Sequence, residues 1–119
     1  MKVRKRVYLA GVPYRQAVAM RMLEERLVPL GCRIVNAAPT QHGYVNDIQA
    51  ACQADLVIYI APGECVTWAL AAAAWAKGVP VWGLDPATSR PALLETMVRK
   101  WFAGAEELYA QLDGMLRGN

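Results

Sequence analysis

The stretch Asp55-Leu-Val-Ile-Tyr-Ile-Ala-Pro-Gly-Glu-Cys-Val-Thr67, continued through an alanine-rich segment to Lys77-Gly-Val-Pro-Val-Trp82, decides how the rest of the chain is read. The short apolar run Asp55 to Ile60 has the β-branched and aromatic content of a strand, and Pro62-Gly63 breaks it with a turn that carries the acid Glu64. Thr67 to Lys77 is built of small, strongly helix-forming residues, Lys77-Gly78 stops it, and Val79 to Gly83 is again a strand. Strand, helix and strand in that order make a β-α-β unit. Such a unit requires a parallel sheet, whose ligand crevice lies at the carboxyl ends of the strands, here beside Glu64.

Working outward, the same alternation continues in both directions. Arg6 to Ala10 reads as a first strand, ended by Gly11-Val-Pro13. Proline suits the first turn of a helix, and Ala17, Met20, Leu23, Leu27 and Leu30 then recur at helical spacing as far as Gly31, with Pro29 in a fraying last turn. Arg33 to Asn36 is a short second strand. Ala37 to Tyr44 is a loop bearing the single histidine, His42, and Val45, Ile48, Ala51 and Cys52 give a short helix with Asp47 near its start. After the loop Asp85 to Pro91, a helical pattern runs through Leu93, Leu94, Met97, Val98 and Trp101, although Val98 to Phe102 also reads as a fifth strand. Leu108, Leu112 and Met115 mark one face of a terminal helix over Ala105 to Leu116. The expected fold is a doubly wound, flavodoxin/Rossmann-like α/β sandwich with four or five parallel strands in the order 2-1-3-4(-5).

Composition agrees. A chain of 119 residues, 55% hydrophobic, has room for one domain spanning residues 1–119 and a real core. The apolar span from Leu56 to Leu84 is broken by Pro62, Gly63, Glu64, Lys77 and Pro80, which argues against a membrane helix, and the N-terminus lacks the apolar stretch of a signal peptide. The expectation is a soluble cytoplasmic protein. Cys32, Cys52 and Cys65 have neither zinc nor redox-pair spacing, and Cys32 and Cys52 read as buried apolar residues. Much of the net charge of +3 comes from Lys2, Arg4, Lys5 and Arg6, a solvated strand entrance. Aromatic residues are not interleaved with these cations as a stacking groove for nucleic acid would require. No cofactor is implied, and no His/Asp/Glu cluster has metal-ligand spacing.

In the order 2-1-3-4 the crevice opens between strands one and three. Gly11, Gly63, Glu64 and Thr67 meet there, with Tyr8 on the first strand and Asp47 on the second helix. Backbone N–H groups at the start of the third helix are candidates to hold an anion such as a phosphate. Each residue also has a plainer reading: Pro-Gly-Glu as a turn, Thr67 as a cap, Tyr8 as a half-buried strand aromatic, Asp47 as a charge favourable near a helix N-terminus, and His42 as a solvated loop residue.

Val7-Tyr-Leu-Ala-Gly11 resembles the opening Tyr-Leu-Ala-Gly-Pro of the nucleoside 2-deoxyribosyltransferase superfamily, with Val12 inserted before the proline. That family places an aspartate in a short helix ahead of strand three, as Asp47 is placed here, and then an Asp-x-Gly-Thr-x-x-Glu-x-Gly-x-Ala pattern leading to a Gly-Lys-Pro-Val strand. Counting back from Gly78-Val-Pro-Val81 sets Glu64 on the family's acid, Thr67 on its threonine, Ala72 on its glycine, Ala74 on its alanine, and Leu70 on its nucleophilic glutamate. The resemblance covers roughly residues 6 to 83 and, more loosely, Phe102 to Leu108. It implies a small-molecule nucleoside or nucleotide as ligand and pairing of subunits that complete each other's pockets.

Leucine cannot attack an anomeric carbon, and Val66 replaces a glycine that leaves room for a ligand. The resemblance therefore implies a divergent member that binds a nucleoside or nucleotide without the usual covalent glycosyl transfer, Tyr8, Gly11, Gly63 and Thr67 forming the binding residues. An active N-glycoside hydrolase or transferase is the alternative, its acid or base supplied by Glu64 or Asp47. A third reading is a structural or self-assembling module: Trp68 and Trp75 lie seven residues apart on the third helix among alanines, and Trp82 and Trp101 add bulk, so a homo-oligomer, dimer or higher, through that helix is expected.

Overall fold

The computed structural model describes residues 5–35, 45–85 and 90–117. Five parallel strands, β1 (Lys5–Ala10), β2 (Cys32–Ile34), β3 (Leu56–Ile60), β4 (Val81–Leu84) and β5 (Lys100–Phe102), form one sheet in the order β2-β1-β3-β4-β5. The helices are α1 (Pro13–Leu27), α2 (Val45–Gln53), α3 (Cys65–Ala76), α4 (Ala92–Met97) and α5 (Ala105–Arg117), with a 3-10 turn, Val28–Leu30, after α1. Pro29 sits in that turn, and Gly31 closes it at φ 93°, a left-handed conformation that glycine adopts without a Cβ clash. None of the described helices is long and apolar enough to cross a membrane.

Strands β2 and β4 are shifted by one or two residues from the sequence reading, and two further boundaries differ with a clear cause. Helix α3 starts at Cys65 rather than Thr67, because Glu64 takes the cap position with extended backbone (φ -121°, ψ 176°) and Thr67 becomes the third helical residue. The helical pattern through Leu93 to Trp101 stops at Met97, and the fifth strand also read near Val98 to Phe102 is present, with Trp101 in β5. Val98 already has extended backbone (φ -86°, ψ 121°), and the β4 edge it approaches offers a ladder that a continued helix would leave unpaired.

Strand β3 is buried along its whole length, as expected of the central strand of a parallel sheet covered on both faces. Its alternate residues serve different cores. Val57 and Tyr59 join Tyr8, Ala10, Leu70, Ala71 and Ala74 beneath α2, α3 and α4. Leu56, Ile58 and Ile60 join Val7, Leu9, Leu23, Leu27 and Leu108 beneath α1 and α5. Ala71 and Ala74 are wholly buried, so the alanine run does what its small bulk allows and brings α3 close to the sheet. The three cysteines are free: Cys32 is buried, Cys52 half-buried and Cys65 exposed.

Candidate functional site

Parallel pairing places Ala10 beside Tyr59, Tyr59 beside Gly83, and Gly83 beside Trp101 across four strands at the carboxyl end of the sheet. Small and large residues therefore alternate along one row. A Cβ on Gly83 would fall on Cε3 and Cζ3 of Trp101, so only glycine lets that indole lie over β4. Trp101 meets Tyr59 edge to face at 6.2 Å between centroids, and the Arg90 guanidinium covers it at 4.1 Å.

Tyr59 holds the loop that begins α3. Its hydroxyl oxygen accepts the Gly63 N–H at 2.9 Å and the Trp68 indole N–H at 3.0 Å. A Cβ on Gly63 would come within 2.6 Å of both the Tyr59 hydroxyl and Thr67 Oγ1, which explains the glycine at this position. Next along the chain, Glu64 and Thr67 form a capping box. The Glu64 N–H donates to Thr67 Oγ1 at 2.7 Å, Thr67 Oγ1 donates to the Glu64 carbonyl at 2.8 Å, and the Thr67 N–H returns to the Glu64 carboxylate. At the amino end of α3 the Thr67 N–H is thus taken by the chain's own carboxylate.

The second group lies at the end of β1. The Tyr8 hydroxyl donates to Asp47 Oδ1 at 3.2 Å, joining the strand to the first turn of α2. Tyr8 is 4% exposed and its hydroxyl is engaged by Asp47. Burial, followed by the Asp47 charge and the hydrogen bond, raises the Tyr8 phenol well above its ordinary range. Because the folded-state value lies above the unfolded one, near 10, this group contributes stability that is complete below about pH 10 and is lost as the pH climbs beyond it. Burial raises Tyr109 and Cys32 in the same direction. The expected result is a urea midpoint that holds to about pH 10 and falls above it, with a shallower fall in Tyr8→Phe; parallel curves for the two proteins would show that the Tyr8 phenol contributes nothing.

Val12 and the loop after β3 are tied together by Gln16. This side chain is 9% exposed; its Oε1 accepts the Val12 N–H at 2.7 Å, and its Nε2 donates to the carbonyls of Ile60 at 3.2 Å and Pro62 at 3.0 Å. One amide thus bridges the ends of β1 and β3 on the α1 face. Helical geometry in α1 is interrupted at the same residue (φ -120°, ψ 22°). A Cβ on Gly11 would meet Gln16 Oε1 at 3.2 Å and Met20 Sδ at 3.0 Å. Asp47 on α2, and Gly63 and Glu64 ahead of α3, are all half-buried.

The structure therefore brings Tyr8 to Asp47, and Glu64 and Gly63 to Thr67, at neighbouring strand ends. His42 lies outside the described residues. Leu70 is 5% exposed and packs in the core with Tyr8 and Tyr59. Sequence reasoning passed over Gln16, Tyr59, Arg90 and Asp85. Gln16 did leave a signal: Met20, Leu23 and Leu27 extended back one turn land on it, a polar residue on an apolar stripe, whereas Ala17 is exposed. Trp68 turns toward Tyr59, Trp82 is buried, and only Trp75 of the four tryptophans is exposed, at 48%.

Fold and site together define a flavodoxin-like α/β domain whose residues converge at the switch point between β1 and β3. The sequence matches no family model and no curated protein. Among solved structures, the CMP N-glycosidase BcmB of Clostridium botulinum superposes with a TM-score of 0.67 at 22% identity, covering 92% of this chain and 98% of that one. A conserved protein from Enterococcus faecalis V583 superposes with a TM-score of 0.70 at 15% identity, covering 95% and 99%. At these identities the likeness is one of fold.

Proposed function

We propose that this chain is a divergent member of the nucleoside 2-deoxyribosyltransferase superfamily that binds a nucleoside or nucleotide between the ends of β1 and β3 and has given up covalent glycosyl transfer. The observation that carries this reading is Leu70: the position that the family register gives to the nucleophile holds a core leucine, 5% exposed. The fold shared with a CMP N-glycosidase supports the ligand class. A panel of ribo- and deoxyribonucleosides and their monophosphates, screened by thermal unfolding, tests it. At least one member is expected to raise the midpoint by several degrees, since ligand at about a hundred times its dissociation constant stabilises by about 2.7 kcal/mol. A flat response to the whole panel would refute the ligand.

The Tyr8 to Asp47 bond favours a second reading, hydrolysis without a covalent intermediate. A carboxylate with one oxygen fixed at 3.2 Å by a buried phenol is oriented to take a proton from water attacking the anomeric carbon, while the base departs with its bonding pair. Under this reading Asp47→Asn lowers base release by about a hundredfold or more and leaves the thermal midpoint within a degree or two. An unchanged rate would exclude Asp47 as the base. Trp75 on α3 and Leu93 on α4, both exposed, support self-association on this side of the molecule. Gel filtration across a concentration series separates a dimer from a strict monomer.

A further inference from the structure

We infer that a second small-molecule site lies at the opposite end of the sheet, an apolar cavity with a cationic mouth that takes a medium-chain carboxylate. On the α1 and α5 face, Val7 of β1, Leu56 of β3 and Trp82 of β4 stand near the amino ends of neighbouring strands, each no more than 5% exposed. Leu112 and Met115, toward the carboxyl end of α5, complete the lining of a cavity of about 350 Å³. That volume falls at the lower end of the range for ligand pockets, about 300–1,000 Å³. Core side chains that border unfilled space lose contacts on that side, and an apolar body restores them. The cavity shares no residue with the crevice beside Glu64, so it stands apart from the nucleoside reading.

The mouth carries three cations, Lys5 at the start of β1 and Arg99 and Lys100 at the entry to β5, all exposed. Lys100 pairs in register with Trp82, and its Nζ stands 5.8 Å from the centre of that ring, so the ammonium lies at the edge of the apolar lining. Among the described residues no salt bridge engages any of the three. Negative charge is weaker there. Asp55 is the acid of the described lining, and its Oδ2 accepts the Arg6 N–H at 2.8 Å. The carboxyl end of α5 adds a partial charge of about half a unit. Asp113 on the same helix borders Arg26 instead. An excess of positive charge around an apolar floor suits an apolar body ending in one anion, and the aliphatic lining of Val7, Leu56, Leu112 and Met115 suits an alkyl chain.

Calorimetric titration with the straight-chain carboxylates from butanoate to decanoate, beside octanol and octylammonium as neutral and cationic controls, tests the site. Affinity is expected to rise about fourfold for each methylene buried and to level off once the cavity is full. Octanoate is expected to bind about tenfold more tightly than octanol, with octylammonium weakest, and the difference to shrink at about 1 M salt, where the Debye length is about 3 Å. Two changes of opposite sign locate the anion. Lys5→Gln combined with Lys100→Gln is expected to weaken octanoate about fivefold, and Asp55→Asn to strengthen it about twofold, whereas a merely structural effect would weaken it in both. All three positions are exposed, so these variants are expected to fold. Met115→Trp, at a residue 37% exposed, fills the mouth and is expected to abolish binding. Affinity that climbs with chain length without a plateau, or that ignores both the charge changes and Met115→Trp, would mean non-specific adsorption and overturn the site. Octanol bound as tightly as octanoate would overturn the anion. Failure of octanoate to bind would overturn the site as well, and a dimer in gel filtration that Met115→Trp dissolves would then give the cavity to a second copy of the chain.

Discussion

Gln16→Leu is expected to lower the free energy of unfolding by about 2–4 kcal/mol, although the two side chains are close in size. The cause is polar. Leucine fills the space but leaves the Val12 N–H and the carbonyls of Ile60 and Pro62 without the amide that now satisfies them. Each buried group stranded in this way costs about 1–3 kcal/mol, reduced where water reaches it. Because the same amide fixes the loops after β1 and β3 to each other, hydrogen exchange at Val12 and in the loop after Ile60 is expected to accelerate more than exchange along β3 itself. Equal acceleration throughout the sheet would mean that Gln16 supports the domain generally and not the two loops.

Gly83→Ala is the second large effect, expected at about 2–4 kcal/mol and a fall of about 10 °C or more in the thermal midpoint. One methyl group is enough because it would enter the Trp101 ring, and the indole has Arg90 on one face and Tyr59 at its edge to keep it in place. Near-ultraviolet circular dichroism is expected to show a changed indole environment. A double-mutant cycle isolates the cause: in a Trp101→Ala background the added methyl has space, and the cost of Gly83→Ala is expected to fall below about 1 kcal/mol. If the cost is the same in both backgrounds, the strain lies in β4 and not against the indole.

The sheet was legible because its signals are local. Leu56 to Ile60, the break at Pro62-Gly63 and the stop at Lys77-Gly78 each act within a few residues, and the β-α-β handedness supplies the rest. Short-range signals fail where tertiary contacts choose between alternatives. Leu93, Leu94, Met97, Val98 and Trp101 satisfy a helical period, yet the open edge of β4 draws Lys100–Phe102 into a strand. Glu64 and Thr67 were visible as polar residues at a helix start, but which of them caps depends on the loop geometry imposed by Tyr59 and Gly63.

The site was legible to the same degree. Tyr8 and Asp47 stand 39 residues apart in sequence, and each could be named as a candidate, but their mutual hydrogen bond follows only from the packing of α2 against β1. Gly83 looks like any strand glycine until pairing sets it beside Trp101. Arg90 belongs to a stretch that reads as loop, and nothing local indicates that it stacks on an indole eleven residues later. Leu70 is the reverse case. Its burial is evident from composition alone, and its meaning comes from a register counted to a distant family.

A nucleoside site without glycosyl transfer is tested most directly by chromatography of free base. Wild-type protein and Asp47→Asn are incubated for days with whichever nucleoside or nucleotide raises the unfolding midpoint, beside ligand alone. No base beyond the ligand-only control is expected from either protein. Base released by the wild type and lost in Asp47→Asn would show that the chemistry survives with leucine at position 70, and would make this chain a hydrolase.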